Sequence, residues 1–133
     1  KEQLFTVGVI CSIEPKALYR LIKDNCGVVF NSSELEQYMV QNIPESHPLP
    51  ISMIKNSNDI KKYIKSIING NKKLKNKFER AKIPLVEFSI IVYCNESRCT
   101  SSDILLNTLW RQGFKNLRVY SGSIYECMQI NKI

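Results

Sequence analysis

Cys94 is the residue of this chain best placed for nucleophilic chemistry. It ends the run Ile90-Ile91-Val92-Tyr93 and opens a polar loop, Asn95-Glu96-Ser97-Arg98-Cys99, that leads into Thr100-Ser101-Ser102. A short apolar run before a polar loop reads as a strand buried on both faces. Ser101, Ser102 and Asp103 offer N-cap oxygens for a helix, and Ile104, Leu105, Thr108 and Leu109 recur at helical spacing. The cysteine thus sits at a strand exit, with a helix N-terminus directed back at it. That N-terminus carries free N–H donors and about half a positive charge, which favours an anion. A thiolate is such an anion, and easing its deprotonation makes a nucleophile. Backbone N–H groups of Asn95 to Thr100 could curl round that anion as an anion-binding nest. The alternative is an inert, half-buried cysteine that acts as a small hydrophobe.

The segment resembles the rhodanese-like (sulfurtransferase) domain family. The resemblance rests on Tyr93-Cys94, Cys99-Thr100-Ser101-Ser102, a helix, Gly113-Phe114-Lys115-Asn116, a short strand and Tyr120-Ser121-Gly122. Upstream, Val28-Val29-Phe30-Asn31-Ser32-Ser33-Glu34 to Tyr38, Asn42-Ile43-Pro44 and Pro48-Leu49-Pro50-Ile51 are similar to the family's first half. The resemblance implies a Cys94 persulfide that takes a sulfane sulfur from a thiosulfate-like or protein persulfide donor and passes it to a thiol or cyanide. Such covalent catalysis splits one transfer into two easier steps. It implies no cofactor, and Asn95, Glu96, Ser97, Arg98, Cys99 and Thr100 as the substrate-binding loop. Arg98 would attract an anionic donor and Glu96 would oppose it. Cys99 would either resolve the persulfide as a disulfide or pack under the loop.

Four positions depart from the family pattern. Asn31 and Ser33 stand where many active members carry an aspartate and an arginine, so that ion pair cannot form. Ser123 replaces a second glycine, and Cys127 a common tryptophan. The competing function is therefore a catalytically weak rhodanese-like module that serves as a protein-interaction or regulatory domain. The cell-cycle dual-specificity phosphatases share the fold but need an arginine where this chain has Thr100, and Arg98 comes too early for it. A planar guanidinium there would grip phosphate oxygens in pairs.

The elements that must hold Cys94 follow from periodicity. Leu4 to Cys11 reads as a first strand, and Glu14-Pro15 starts a helix whose apolar face is Ala17, Leu18, Leu21 and Ile22. Gly27 is expected to end it in the left-handed conformation. Val28 to Phe30 is a buried strand. Ser33 is expected to cap the next helix in a box with Glu36, with Leu35, Tyr38 and Met39 facing inward. A brief strand is expected over Leu49 to Met53. A helix opens at Ser57 or Asn58, with Ile60, Tyr63, Ile64, Ile67 and Ile68 on one face. A second helical piece with Leu74, Phe78 and Ala81 is ended by Pro84. Val86 to Tyr93 is the strand before the loop. After the helix from Ser101, Gly113 caps, Asn116 to Ser121 is the last strand, and a short helix follows Gly122. Strands alternating with helices imply parallel βαβ units. The expected fold is α/β: one domain over 1–133, free-standing or a module of a longer protein. Its central sheet is mostly parallel, with helices on both faces. Ligands of such folds bind beyond the carboxyl ends of the strands, where Cys94 lies.

Composition narrows the setting. The 133 residues suit one core. No apolar run approaches the roughly 20 residues of a membrane span, so no membrane partner is expected. Five cysteines, an odd number without dense spacing, argue against a secreted disulfide framework. They suit an intracellular, reducing compartment, the cytoplasm first, with an organelle left open. The net charge of +7 concentrates in Lys61, Lys62, Lys65, Lys72, Lys73, Lys75, Lys77 and Arg80. Without interleaved aromatics this stretch reads as a solvated helical face, not a specific nucleic-acid site. Cys94 and Cys99 form only one close ligand pair and lone His47 sits between prolines, short of a four-ligand zinc site.

Overall fold

A computed structural model of the chain describes residues 11–54, 57–95, 100–122 and 124, with Cys11, Ser57 and Asn58 described by backbone only. Two apolar strands set the architecture. In β2 (Gly27–Asn31) and β4 (Ser89–Tyr93) nearly every residue is buried, which is possible only where both sheet faces are covered. They lie side by side and parallel, with Val28 opposite Ile90 and Asn31 opposite Tyr93. Successive side chains alternate between two cores, as the pleat requires. Val28, Phe30, Ile90 and Val92 face one core; Val29, Ile91 and Tyr93 face the other.

Helices cover both faces. α1 (Pro15–Lys23) brings Leu18 and Leu21 to the second core. α3 (Ser57–Asn69), α4 (Lys72–Ala81) and α5 (Thr100–Arg111) bring Ile60, Ile64, Leu74, Leu105 and Leu109 to the first. Their outer faces carry the lysines, so Lys62 and Lys65 are exposed opposite Ile60 and Ile64. Among the described residues, short strands β1 (Cys11–Ser12), β3 (His47–Pro48) and β5 (Leu117–Val119) complete a five-stranded sheet, ordered β1-β5-β4-β2-β3, in which every pairing is parallel. This is the α/β sheet with helices on both faces that the alternation of elements implies.

Several local expectations are corrected. α1 ends through Asp24, and Asn25, not Gly27, takes the left-handed conformation (φ 57°). Gly27 is needed for space: a Cβ there would stand 2.7 Å from the Ser89 carbonyl and 3.0 Å from the Ser89 Cβ. Gly27→Ala is expected to cost about 1–3 kcal/mol through overpacking, read as a lower denaturation midpoint at unchanged slope. Helix α2 (Leu35–Val40) starts from Glu34 without a side-chain cap, so Ser33 and Glu36 form no capping box. None of its residues is buried, and Leu35, Met39 and Val40 are exposed. The segment after β3 is a 3-10 turn over Ile51–Met53, not a strand. A second such turn, Leu85–Glu87, precedes β4 and shortens that strand. α4 is capped by Asn71, whose side chain accepts from the N–H groups of Lys73 and Leu74; it ends at left-handed Lys82 (φ 55°), before Pro84 acts. Gly113 (φ 97°) follows α5, as its position suggests. The expected strand over Leu4 to Ile10 and most of the helix after Gly122 lie outside the described residues.

Candidate active site

Cys94 follows β4 directly and is 7% exposed, so the strand sets where its sulfur lies. That sulfur is held in a disulfide whose partner lies outside the described residues, whereas Cys26 is an exposed free thiol. A nucleophilic Cys94 thus requires reduction first. Asn95 is half-buried, and Thr100 is exposed as the first residue of α5. Glu96, Ser97, Arg98 and Cys99, expected to line the loop, lie outside the described residues, as does position 123. The helix starts one residue before the serines expected to cap it. Ser101 and Ser102 are inside its first turn.

Those serines tie α5 to the sheet. Ser32, just past β2, donates its N–H to the Tyr93 carbonyl (2.8 Å), and its hydroxyl lies 3.2 Å from the same oxygen. The Ser32 Oγ is also 3.0 Å from Ser101 Oγ and 2.9 Å from Ser102 Oγ. One buried hydroxyl thereby joins the peptide preceding Cys94 to the first turn of a twelve-residue helix. The positive end of that helix is thereby held near the strand exit.

A second network holds Asn95. Asn31 is 0% exposed. Its Oδ1 accepts from the Ser33 N–H (2.7 Å), and its Nδ2 donates to Asn95 Oδ1 (2.7 Å). The Asn95 N–H donates to Ser33 Oγ (2.9 Å), and Asn95 Nδ2 donates to the Gln37 carbonyl (2.7 Å). The two positions that lack the family's charges therefore form a neutral clamp on the residue after Cys94. Buried polar groups are tolerable when each is paired, and a neutral network avoids the desolvation of an ion pair. Sequence reading registered Asn31 and Ser33 only as losses. The signal available to it was Asn31-Ser32-Ser33, three short polar residues directly after an apolar strand.

Tyr93 anchors the strand from the other core. Its hydroxyl accepts from the Ile43 N–H (2.8 Å) and lies 2.7 Å from Ser46 Oγ. Burial pushes its phenol above the ordinary range, against the opposing pull of those hydrogen bonds. His47 pairs edge-on with Phe30. Burial lowers its pKa, partly countered by Glu45, so the neutral ring is favoured. Among the described residues no group of three or more His, Cys, Asp or Glu is placed to hold a metal.

Comparison with known proteins agrees with this architecture. The family profile described as Rhodanese-like domain matches residues 14–129. No curated protein matches by sequence. Among solved structures, the human single-domain sulfurtransferase TSTD1 superposes with a TM-score of 0.59 at 14% identity, covering 89% of this chain and 95% of that one. The Saccharomyces cerevisiae single-domain sulfurtransferase RDL2 gives 0.59 at 12% identity, covering 91% and 90%. Reduced Bacillus anthracis CoADR-RHD gives 0.57 at 15% identity, covering 98% of this chain but 19% of that one. At these identities the likeness speaks for the fold.

Proposed function

The chain belongs to the rhodanese-like domain family, and from that premise we propose that it is a sulfurtransferase with Cys94 as its nucleophile. The observation that carries this reading is the placement of Cys94 at the exit of β4, one residue after a peptide tied through Ser32 to the first turn of α5. In the first half-reaction the reduced Cys94 thiolate attacks the outer sulfur of a sulfane donor. A Cys94 S–S bond forms, the donor's S–S bond breaks, and the donor departs with the electron pair. In the second, an acceptor thiolate or cyanide takes the terminal sulfur and restores the Cys94 thiolate. Asn95 positions the loop, and the amides between it and Thr100 are assigned to the bound sulfur. The need for reduced Cys94 fits an intracellular, reducing setting.

The test is direct. The protein is reduced, freed of reductant and given thiosulfate or a persulfide donor. Intact mass should rise by one sulfur atom, and protein that was not reduced should take up none. The second reading, a partner-binding module, is favoured by the exposed Leu35, Met39 and Val40 of α2, whose Gln37 carbonyl holds Asn95. Reduced protein that gains no sulfur from any donor would support it instead.

Phosphoryl transfer needs a guanidinium where Thr100 stands. Hydrolysis of an aryl phosphate by the reduced protein should not exceed that of a Cys94→Ser control. Turnover well above that control would reopen the phosphatase reading.

A further inference from the structure

Among the described residues six large apolar side chains are exposed, and five of them lie on three elements around the exit of β4. Leu35, Met39 and Val40 belong to α2, Met53 to the 3-10 turn after β3, and Ile104 to the start of α5. The sixth, Trp110, stands at the far end of α5. The three elements are joined to one another and to the site. The Gln37 carbonyl of α2 accepts from Asn95 Nδ2 (2.7 Å). Ser52 in the turn donates to Glu34 Oε1 at the start of α2 (3.2 Å), and the turn packs against α5. Scattered apolar residues are ordinary on a surface, but a group gathered at one end of the sheet marks a face that another molecule covers.

Charge says what that molecule is. In a chain of net charge +7, Asp24 to Ile54 holds four carboxylates and no lysine or arginine. Glu34, Glu36 and Glu45 are exposed, two of them next to Leu35. A small dianion such as thiosulfate gains nothing from apolar side chains and is repelled by these carboxylates. A segment that is both apolar and basic gains from each. We propose that the Cys94 sulfur is delivered to a protein cysteine whose sequence neighbours are apolar and basic, docked on α2 and the turn Ile51–Met53. This rests on the sulfurtransferase reading and names its acceptor. The acceptor thiolate attacks the terminal sulfur of the Cys94 persulfide. A bond from the acceptor to that sulfur forms, the Cys94 S–S bond breaks, and Cys94 departs as a thiolate with the electron pair. The acceptor leaves as the persulfide, with no net oxidation. Leu35, Met39 and Met53 take the apolar neighbours of the acceptor cysteine, and Glu34 and Glu36 face its cations.

In the experiment, reduced protein is loaded from thiosulfate or glutathione persulfide, freed of donor and mixed at low salt with synthetic peptides in single turnover. Each peptide has a central cysteine. One has leucines beside it and lysines outside them; a second replaces the leucines with serines; a third replaces the lysines with glutamates. Each rate is divided by that of the same peptide with free glutathione persulfide, which removes differences in thiol acidity. The leucine and lysine peptide should accept sulfur about ten-fold faster than the serine peptide. It should accept about five-fold faster than the glutamate peptide, a gain that fades as salt is raised. In Leu35→Gln/Met39→Gln the first preference should fall to about two-fold. In Glu34→Gln/Glu36→Gln the second should fall likewise, while both variants pass sulfur to cyanide at the wild-type rate. Trp110→Gln should keep both preferences. Normal transfer to cyanide with equal peptide rates, or preferences that survive these substitutions, would overturn the docking assignment alone. Self-association that Leu35→Gln/Met39→Gln abolishes would overturn it in favour of a second copy of this chain. Protein that never loads would remove the sulfurtransferase reading and this acceptor with it.

Discussion

Cys94→Ser is expected to abolish sulfur uptake by the reduced protein. An alcohol is scarcely ionised at neutral pH, so the variant lacks the nucleophile while keeping nearly the same volume at a site that is only 7% exposed. Folding should be little affected, because β4 and the hydrogen bonds of Asn95 are formed by neighbouring atoms. A loss of at least about a thousandfold in loading is expected, as for removal of a covalent nucleophile. Peptide mapping of loaded wild type should find the added sulfur on Cys94. Cys99→Ser should still load in a single turnover, with a changed rate of persulfide loss. The same variant identifies the disulfide partner of Cys94. If Cys99→Ser loads without prior reduction, Cys99 supplied the partner sulfur; if reduction is still required, Cys127 did, since Cys11 lies two strands away at the level of Ile91, beyond disulfide reach. Sulfur mapped to Cys99, or normal loading of Cys94→Ser, would show that the nucleophile is misassigned.

The parts of the fold that were legible in the sequence are those written in uninterrupted apolar signals. Val28 to Phe30 and Ile90 to Tyr93 read as buried strands and are buried strands. The spacing of Ile60, Ile64, Ile67 and Ile68 could only be one helix face. The loop pattern from Tyr93 to Ser102 marked the site because strand, polar loop and helix start succeed one another within a dozen residues. What was not legible is decided by tertiary contacts. Ser33 has the composition of an N-cap, yet its hydroxyl is better used on the Asn95 N–H, so α2 begins later and uncapped. Leu35 and Met39 have core composition, but α2 is a single short helix with none of its residues buried. Gly27 looks like a helix terminator, although its requirement comes from Ser89 on a strand far away in sequence. At the site, a missing ion pair was visible while its replacement was not, because hydrogen bonds such as Asn31 to Asn95 span 64 residues and leave no local periodicity.

That replacement makes Asn31 the position where substitution should do most damage without touching Cys94. In Asn31→Ala, the Ser33 N–H and Asn95 Oδ1 lose their partners together. An unsatisfied buried group costs about 1–3 kcal/mol, less where water can reach, as at half-exposed Asn95. A loss of about 3 kcal/mol follows, or about 10 °C in Tm for a domain of this size. Sulfur loading, measured below the lowered transition, should also slow, because the residue after Cys94 is no longer held. Asn31→Asp restores the residue type that many active relatives carry, but it should not rescue the site. One carboxylate oxygen can accept from Ser33 N–H; the other would face Asn95 Oδ1, acceptor against acceptor. Turning the Asn95 amide over only moves the conflict, since its oxygen would then meet the Gln37 carbonyl. Serine at position 33 offers no guanidinium to neutralise the buried charge, so the pKa of the introduced carboxyl would be higher in the folded variant than in the unfolded one. The folded variant then binds protons more readily than the unfolded one, and its stability deficit should shrink as pH falls from about 8 to about 5. A protonated carboxyl can also donate to Asn95 Oδ1, as the asparagine amide does. Thermal denaturation at both pH values, with wild type alongside, reads this directly. Asn31→Ala with wild-type Tm and loading rate, or Asn31→Asp with a deficit that grows on acidification, would mean that the clamp does not hold the loop.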